Sequence, residues 1–194
     1  MFRLITHADI MPMDDYARIR DGRRREMAAL KKDRRVHVGP DITFYFESFS
    51  TMLHQIHEML AVEKGGEAQI EDELRAYNPL VPKGDELVAT MMIEIDDPRR
   101  RDRMLFAMAG IDACVALSVD GETIAAQAES DVERTTADGK TSAVHFLRFG
   151  FSPDQITAFR RPQNRVTLTV AHPAYDHMAA LPEAVRAALA QDFA

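Results

Sequence analysis

The chain of 194 residues has no tryptophan, one cysteine and no long apolar run. Each absence excludes something. A lone Cys114 rules out an intrachain disulfide and any Cys-x-x-Cys redox motif, and fits a reducing compartment. The longest apolar stretches, such as "MLFAMAG" at 104–110, fall far below the ~20 residues a bilayer-spanning helix needs. The opening "MFRLITHADIMPMDDYARIR" lacks the apolar core and small-residue cleavage site of a signal peptide, so a cytoplasmic protein is expected. There is no glycine-rich phosphate loop, Gly-x-Ser-x-Gly elbow, His-Glu-x-x-His motif or Glu-x-x-His pair. No repeat or low-complexity tract interrupts the chain.

What is present is enough for a real core. Hydrophobic residues make up 46%, and the length suits one domain over 1–194. Eleven methionines fall largely at helix-core spacings, where they pack irregular gaps. Net charge is −7, which disfavours nucleic acid and anionic membranes as partners. The charge is uneven: residues 18–35 carry nine Arg and Lys against three acids, a local +6 that leaves −13 elsewhere. This tract lacks the interleaved aromatics of a single-strand binder. An intramolecular answer is favoured, from the acidic run Glu67, Glu71, Asp72, Glu73; clamping of phosphates, carboxylates or, as the lesser case, nucleic acid by the arginines is the other reading.

The patterns predict a long basic helix over about 14–33, capped by Asp14 or Asp15 and closed by Gly39-Pro40. A short strand follows at 42–49. Met52, Leu53, Ile56, Met59 and Leu60 mark a helix capped by Ser48 or Ser50 and stopped at Gly65-Gly66. A second helix, 67–77, completes a helical hairpin before Pro79. Strands are predicted at 86–95, on both sides of Asp120-Gly121, at 143–151 and at 165–172, with helices at 99–110, 153–159 and 181–193. Asp138-Gly139 marks a second turn, between "DVERTT" and "TSAVHFLRFGF". The expected class is α+β: a mainly helical layer over 1–82 packed on a mostly antiparallel sheet with further helices over 83–194.

In "HQIHE", His54, His57 and Glu58 share a helix face opposite the apolar stripe. A solvated or partner-facing side is the favoured reading there, and a metal site the lesser one. Strand alternation places His145 in an apolar row with Leu147, Phe149 and Phe151, and His172 in one with Val166, Leu168 and Val170. An inward imidazole must find a partner, because burying a bare polar group is costly. The favoured reading is a satisfied core histidine or strand-end cap. The functional alternative joins His145 and His172 to a carboxylate from Glu58, Glu47 or Glu94, a set suited to Fe, Mn or Zn. Glu94 opposes Ile93 and Ile95 in parity, which turns it outward.

"RDGRRREMAALKKDRRVHVGP", "FYFES", "HQIHEML", "ELRAYNPLVP", "LVATMMIEI", "VHFLRFGF" and "AHPAY" together resemble the bacterial domain-of-unknown-function 3501 family over nearly the whole chain. The resemblance implies gene neighbours of rubrerythrin-like and iron–sulfur type, hence redox or oxidative-stress work beside such a partner. It carries over onto Gln55, Glu58 and Met59 in the helix, Arg34, Arg35 and Gly39 in the basic segment, and His145, Arg148, His172 and Tyr175 in the sheet. Members often have glutamine where this chain has His57, which leaves Glu58 the better candidate.

The expectation is therefore a polar pocket between helices and sheet. Glu58, His145 and His172 line it, with Glu47, Glu94, Gln55 and Tyr175 near and Arg34, Arg35 or Arg148 supplying positive charge. It would hold a metal or a small anion. The rival reading is a non-catalytic module or accessory subunit of a redox enzyme, with a homo-oligomer left open.

Overall fold

The computed structural model describes residues 3–129, 134–136 and 138–194. In chain order it builds α1 (Met13–Lys32), β1 (Arg35–Val38), β2 (Ile42–Phe46), α2 (Phe49–Glu63), α3 (Glu67–Tyr77) and β3 (Glu86–Ile93). Then come α4 (Pro98–Ala107), β4 (Val115–Val119), β5 (Glu122–Ala125), β6 (Gln127–Ala128) and β7 (Val144–Gly150). The chain ends with α5 (Pro153–Arg160), β8 (Val166–His172), β9 (Tyr175–Ala180) and α6 (Glu183–Leu189). The class is α+β.

Two antiparallel sheets replace the single one expected: β1-β2-β3-β7-β6 and β5-β4-β8-β9. The chain crosses between them where β5 runs through Ala126 into β6. On the far side β1 lies against β8 and β9 without joining their ladder. The result is a barrel-like sandwich with one unladdered seam. Its interior takes Leu147 and Phe149, and Leu168 and Val170, as alternation predicts, together with Phe44 and Phe46 of β2 and Leu87, Ala89 and Met91 of β3. Leu105, Met108 and Ile111 close one end; Phe159, Val185, Leu189 and Phe193 close the other. The outer face of β3 is also covered, because Val88 packs under Met52, Ile56, Leu60, Ile70 and Leu74 of the helical hairpin. That double burial explains the largely apolar texture of β3, broken only by Glu86 and Thr90.

Several local expectations change. β1 begins three residues after α1 ends, between the end expected for the basic helix and Gly39-Pro40, where no strand is predicted. β9 is a strand that the sequence did not announce, since only Tyr175 is buried along it. Asp14 and Asp15 sit in the first turn of α1, after Pro12, rather than capping it. Lys64, not a glycine, takes the left-handed stop of α2 at φ 57°, and Gly66 instead starts α3. Asp120 (φ 52°) and Gly121 (φ 89°) form the β4–β5 turn as expected, both central residues at positive φ. Residues 131–133 of the arm before Asp138-Gly139 lie outside the described residues; beyond them Thr135 bridges Thr141.

Candidate functional site

The "HQIHE" face of α2 is neither wet nor a metal cradle: α1 lies on it. Tyr16, the one buried residue of α1, stacks on His57 with ring centroids 4.8 Å apart. Its hydroxyl donates to Glu58 Oε1 at 2.8 Å. Arg20 closes a two-point bridge to the same carboxylate, both bonds 2.9 Å. These donors hold the Glu58 carboxyl down at about 2, Arg20 contributing most. Burial pushes the Tyr16 phenol up, and the neighbouring Glu58 carboxylate adds to the shift. His57 donates from Nδ1 to Leu53 O (2.8 Å) and accepts the Met11 N–H at Nε2 (2.9 Å). Both ring nitrogens are used, and burial holds its pKa down.

His145 and His172 point inward, as alternation predicts, but they meet no carboxylate ligand set. His172 caps its hairpin: Nδ1 accepts the Ala174 N–H at 3.1 Å and Nε2 faces Ala109 O at 3.2 Å. His145 is fully buried, with Nε2 on Ser142 O (2.9 Å) and near Thr141 Oγ1 (3.3 Å). Its Nδ1 has no hydrogen-bond partner; Asp112 Oδ2 stands 4.0 Å away. Glu94 is on the opposite, exposed face, taking the hydroxyls of Thr43 (2.5 Å) and Tyr45 (3.0 Å). Glu47 is buried under α2, taking the hydroxyls of Thr51 (2.7 Å) and Thr90 (2.8 Å). Gln55 is half-buried on α2. Among the described residues no three His, Cys, Asp or Glu side chains gather closely enough to hold a metal ion. The shared pocket is thus not formed. The imidazoles lie inside the barrel, where aliphatic side chains fill the space, and the carboxylates lie outside it.

The arginines also separate. Arg35 is exposed on β1 opposite Tyr45. Arg148 binds Glu86 (2.9 Å) and the carbonyl of Pro79. The acidic run does not answer the basic helix: Glu67 meets His7 (2.6 Å), and Asp72 meets Arg75 of its own helix. Within α1 the ion pairs go to Asp15, Glu26 and Glu58.

Arg34 is the exception, because it borders a cleft. Six per cent exposed, it donates from Nε to Phe46 O (3.0 Å), from Nη1 to Ala188 O (3.4 Å), and from Nη2 to Glu47 O (2.8 Å) and Asp192. Four of the five guanidinium N–H groups are engaged, leaving one on Nη1. Burial pushes the Asp192 carboxyl up, and Arg34 opposes the shift. The cleft, about 370 Å³, is lined by Arg3, Arg34, Ser48, Phe49, Ser50 and Asp192 among others. It sits at the start of α2. Ser48 caps that helix by accepting the Thr51 N–H at 3.3 Å. The N–H groups of Phe49 and Ser50 are in its first turn, where no intrahelical acceptor exists. Neither has a protein partner among the described residues. Arg3 lies over the Phe49 ring at 4.2 Å, held by Asp9. Sequence reasoning named Arg34 and the Ser48 cap, but missed Arg3, Ser50 and Asp192. Only the tertiary fold brings both chain ends to this helix start.

A family model described as "Protein of unknown function (DUF3501)" matches residues 4–193. The chain is similar to a novel protein of unknown function from Burkholderia pseudomallei K96243, known from a crystal structure. Identity is 36%, the match covers 99% of this chain and 100% of that one, and the TM-score is 0.91. No curated protein matches.

Proposed function

The chain belongs to the DUF3501 family, and from that premise we propose that it binds a small oxyanion in the cleft at the start of α2. One observation carries the reading. Two unpartnered N–H groups at the positive end of a fifteen-residue helix border a cleft that Arg3 and buried Arg34 also line. A helix N-terminus presents roughly half a positive charge together with free donors, which suits a carboxylate, phosphate or sulfate. The volume of about 370 Å³ fits a small ligand. Asp192 offsets part of the Arg34 charge, so the site favours a singly charged or weakly competing anion over a polyphosphate.

A cytoplasmic setting, and work beside a rubrerythrin-like or iron–sulfur partner in redox metabolism, belong to the same proposal. Their support is the family resemblance and the lone cysteine. Among the described residues, no helix is long and apolar enough to cross a membrane. An accessory-subunit reading has one observation in its favour. The exposed cations Arg24, Arg25 and Lys32 of α1 have no ion-pair partner among the described residues, and they offer an acidic protein a contact face.

Isothermal titration with acetate and with inorganic phosphate tests the site. Ser50→Asp places a fixed carboxylate in the first turn of α2. It suits the helix dipole and keeps the fold, yet repels the ligand. Binding by the parent chain and at least a ~10-fold loss in Ser50→Asp support the proposal, the loss being that of one charged contact. Absence of binding by the parent chain, or equal binding by both, rejects it.

A further inference from the structure

A second cavity, about 180 Å³, runs between α1 and α2 beside the oxyanion cleft. Leu30, Phe49 and Ser50 line both, so the two adjoin. The second differs in chemistry. Met11, Met27, Leu30, Phe49 and Leu53 give it apolar walls, and its far end is closed where His57 takes the Met11 N–H. From Ser50 to His57 it follows α2 for roughly 10 Å, at 1.5 Å per residue.

We infer that the ligand of this site is an amphipathic monocarboxylate: its head lies at the start of α2 and a medium-length alkyl or similarly apolar tail lies between α1 and α2. The inference rests on the oxyanion reading above and adds the class of molecule. Three features point to a tail rather than to a second polar group. First, the helix-start donors, Arg3 and Arg34 lie at the head end, while Arg23, which lines the tail cavity, is paired with Glu26. At the tail end, His57 has both nitrogens occupied by the protein, and His54 Nδ1 faces the Tyr16 hydroxyl at 3.4 Å. Second, α1 buries only Tyr16, so beyond the Tyr16–His57 stack the Met27 and Leu30 side chains face Leu53 and Phe49 across open space. Unfilled space between apolar walls is unfavourable, and an alkyl segment relieves it. Third, methionine is the side chain best able to adapt to a flexible tail, and two of them stand here. The Arg23–Glu26 ion pair, 3.3 Å, borders the same cavity and leaves its rim wet.

A chain-length series decides it: acetate, butanoate, hexanoate and octanoate, titrated calorimetrically into the full chain at constant pH. Octanoate is expected to bind about 100-fold more tightly than acetate, the return on burying three or four methylenes, with a negative heat-capacity change. Met27→Trp fills the tail cavity and should bring the octanoate-to-acetate ratio close to one. If acetate and phosphate bind but affinity does not rise with chain length, the tail inference is overturned and the oxyanion reading stands. If no anion binds, both fall. A ratio that Met27→Trp leaves intact places the alkyl chain elsewhere and overturns the inference. Should that variant not fold, the length series on the parent chain still decides.

Discussion

The Tyr175 hydroxyl donates to the Val38 carbonyl at 2.7 Å across the open seam of the barrel. The same oxygen accepts the Asp41 N–H at 2.9 Å. β1 and β9 are not ladder partners, so one phenol does there what a row of backbone bonds does elsewhere. Gly39 makes the approach sterically feasible: a Cβ at that position would stand 2.5 Å from the hydroxyl, and its φ of +68° already disfavours a side chain.

Tyr175→Phe should therefore cost about 1–3 kcal/mol, because it strands a buried N–H and a buried carbonyl. Gly39→Ala should cost at least as much, since it adds a clash and a strained φ. Urea denaturation measures both. Amide exchange should accelerate in β1 and β9 before it does in β3. Uniform acceleration through all strands would show that the seam is not a separate weak point.

Glu58 holds α1 onto α2, and its titration gives a signed prediction. Its pKa falls from the ordinary 4.5 to about 2 in the fold, chiefly through Arg20. A carboxylate depressed by folding adds stability that is present above pH 4.5 and is lost as pH falls toward 2. The full shift corresponds to roughly 2–3 kcal/mol after allowance for partial exposure. Glu58→Gln should lose that amount at pH 7 and converge on the parent chain near pH 2 in acid-unfolding curves. Parallel curves across that window would mean the bridge contributes nothing.

Inward aim was legible in the sequence; convergence was not. Period two placed His145 and His172 correctly because parity is a local property of one strand. Whether two inward rings share a cavity depends on which strands face each other and how far apart, and alternation carries no such information. The "HQIHE" face failed for a related reason. A helical wheel separates one apolar stripe from the rest, but it does not tell solvent from a second helix. α1 covers that face with one tyrosine and one arginine, too few residues to print an apolar period. β1 was masked by the basic helix directly before it. β9 was masked because its side chains mostly face water. The cleft was the least legible feature, since Arg3, Ser50 and Asp192 belong to distant segments.

His145 makes a pH prediction of the same sign as that of Glu58, in a higher range. Burial holds its pKa below the ordinary 6.5, while the Ser142 carbonyl and Asp112 work the other way. Below pH 6.5 the unfolded chain takes up a proton that the folded one resists, so stability falls with pH there and is level above it. His54 and His57 are shifted the same way and add to the slope. His145→Leu removes one contributor. It also removes a buried Nδ1 without a partner, while leaving Thr141 Oγ1 and the Ser142 carbonyl to find water. These effects oppose each other, so at pH 7 the variant should lie within about 1 kcal/mol of the parent. As pH drops from 6.5 to 5 it should become the more stable of the two in chemical denaturation. A parent chain that gains on the variant over that range would mean that His145 is protonated in the fold and paired with Asp112.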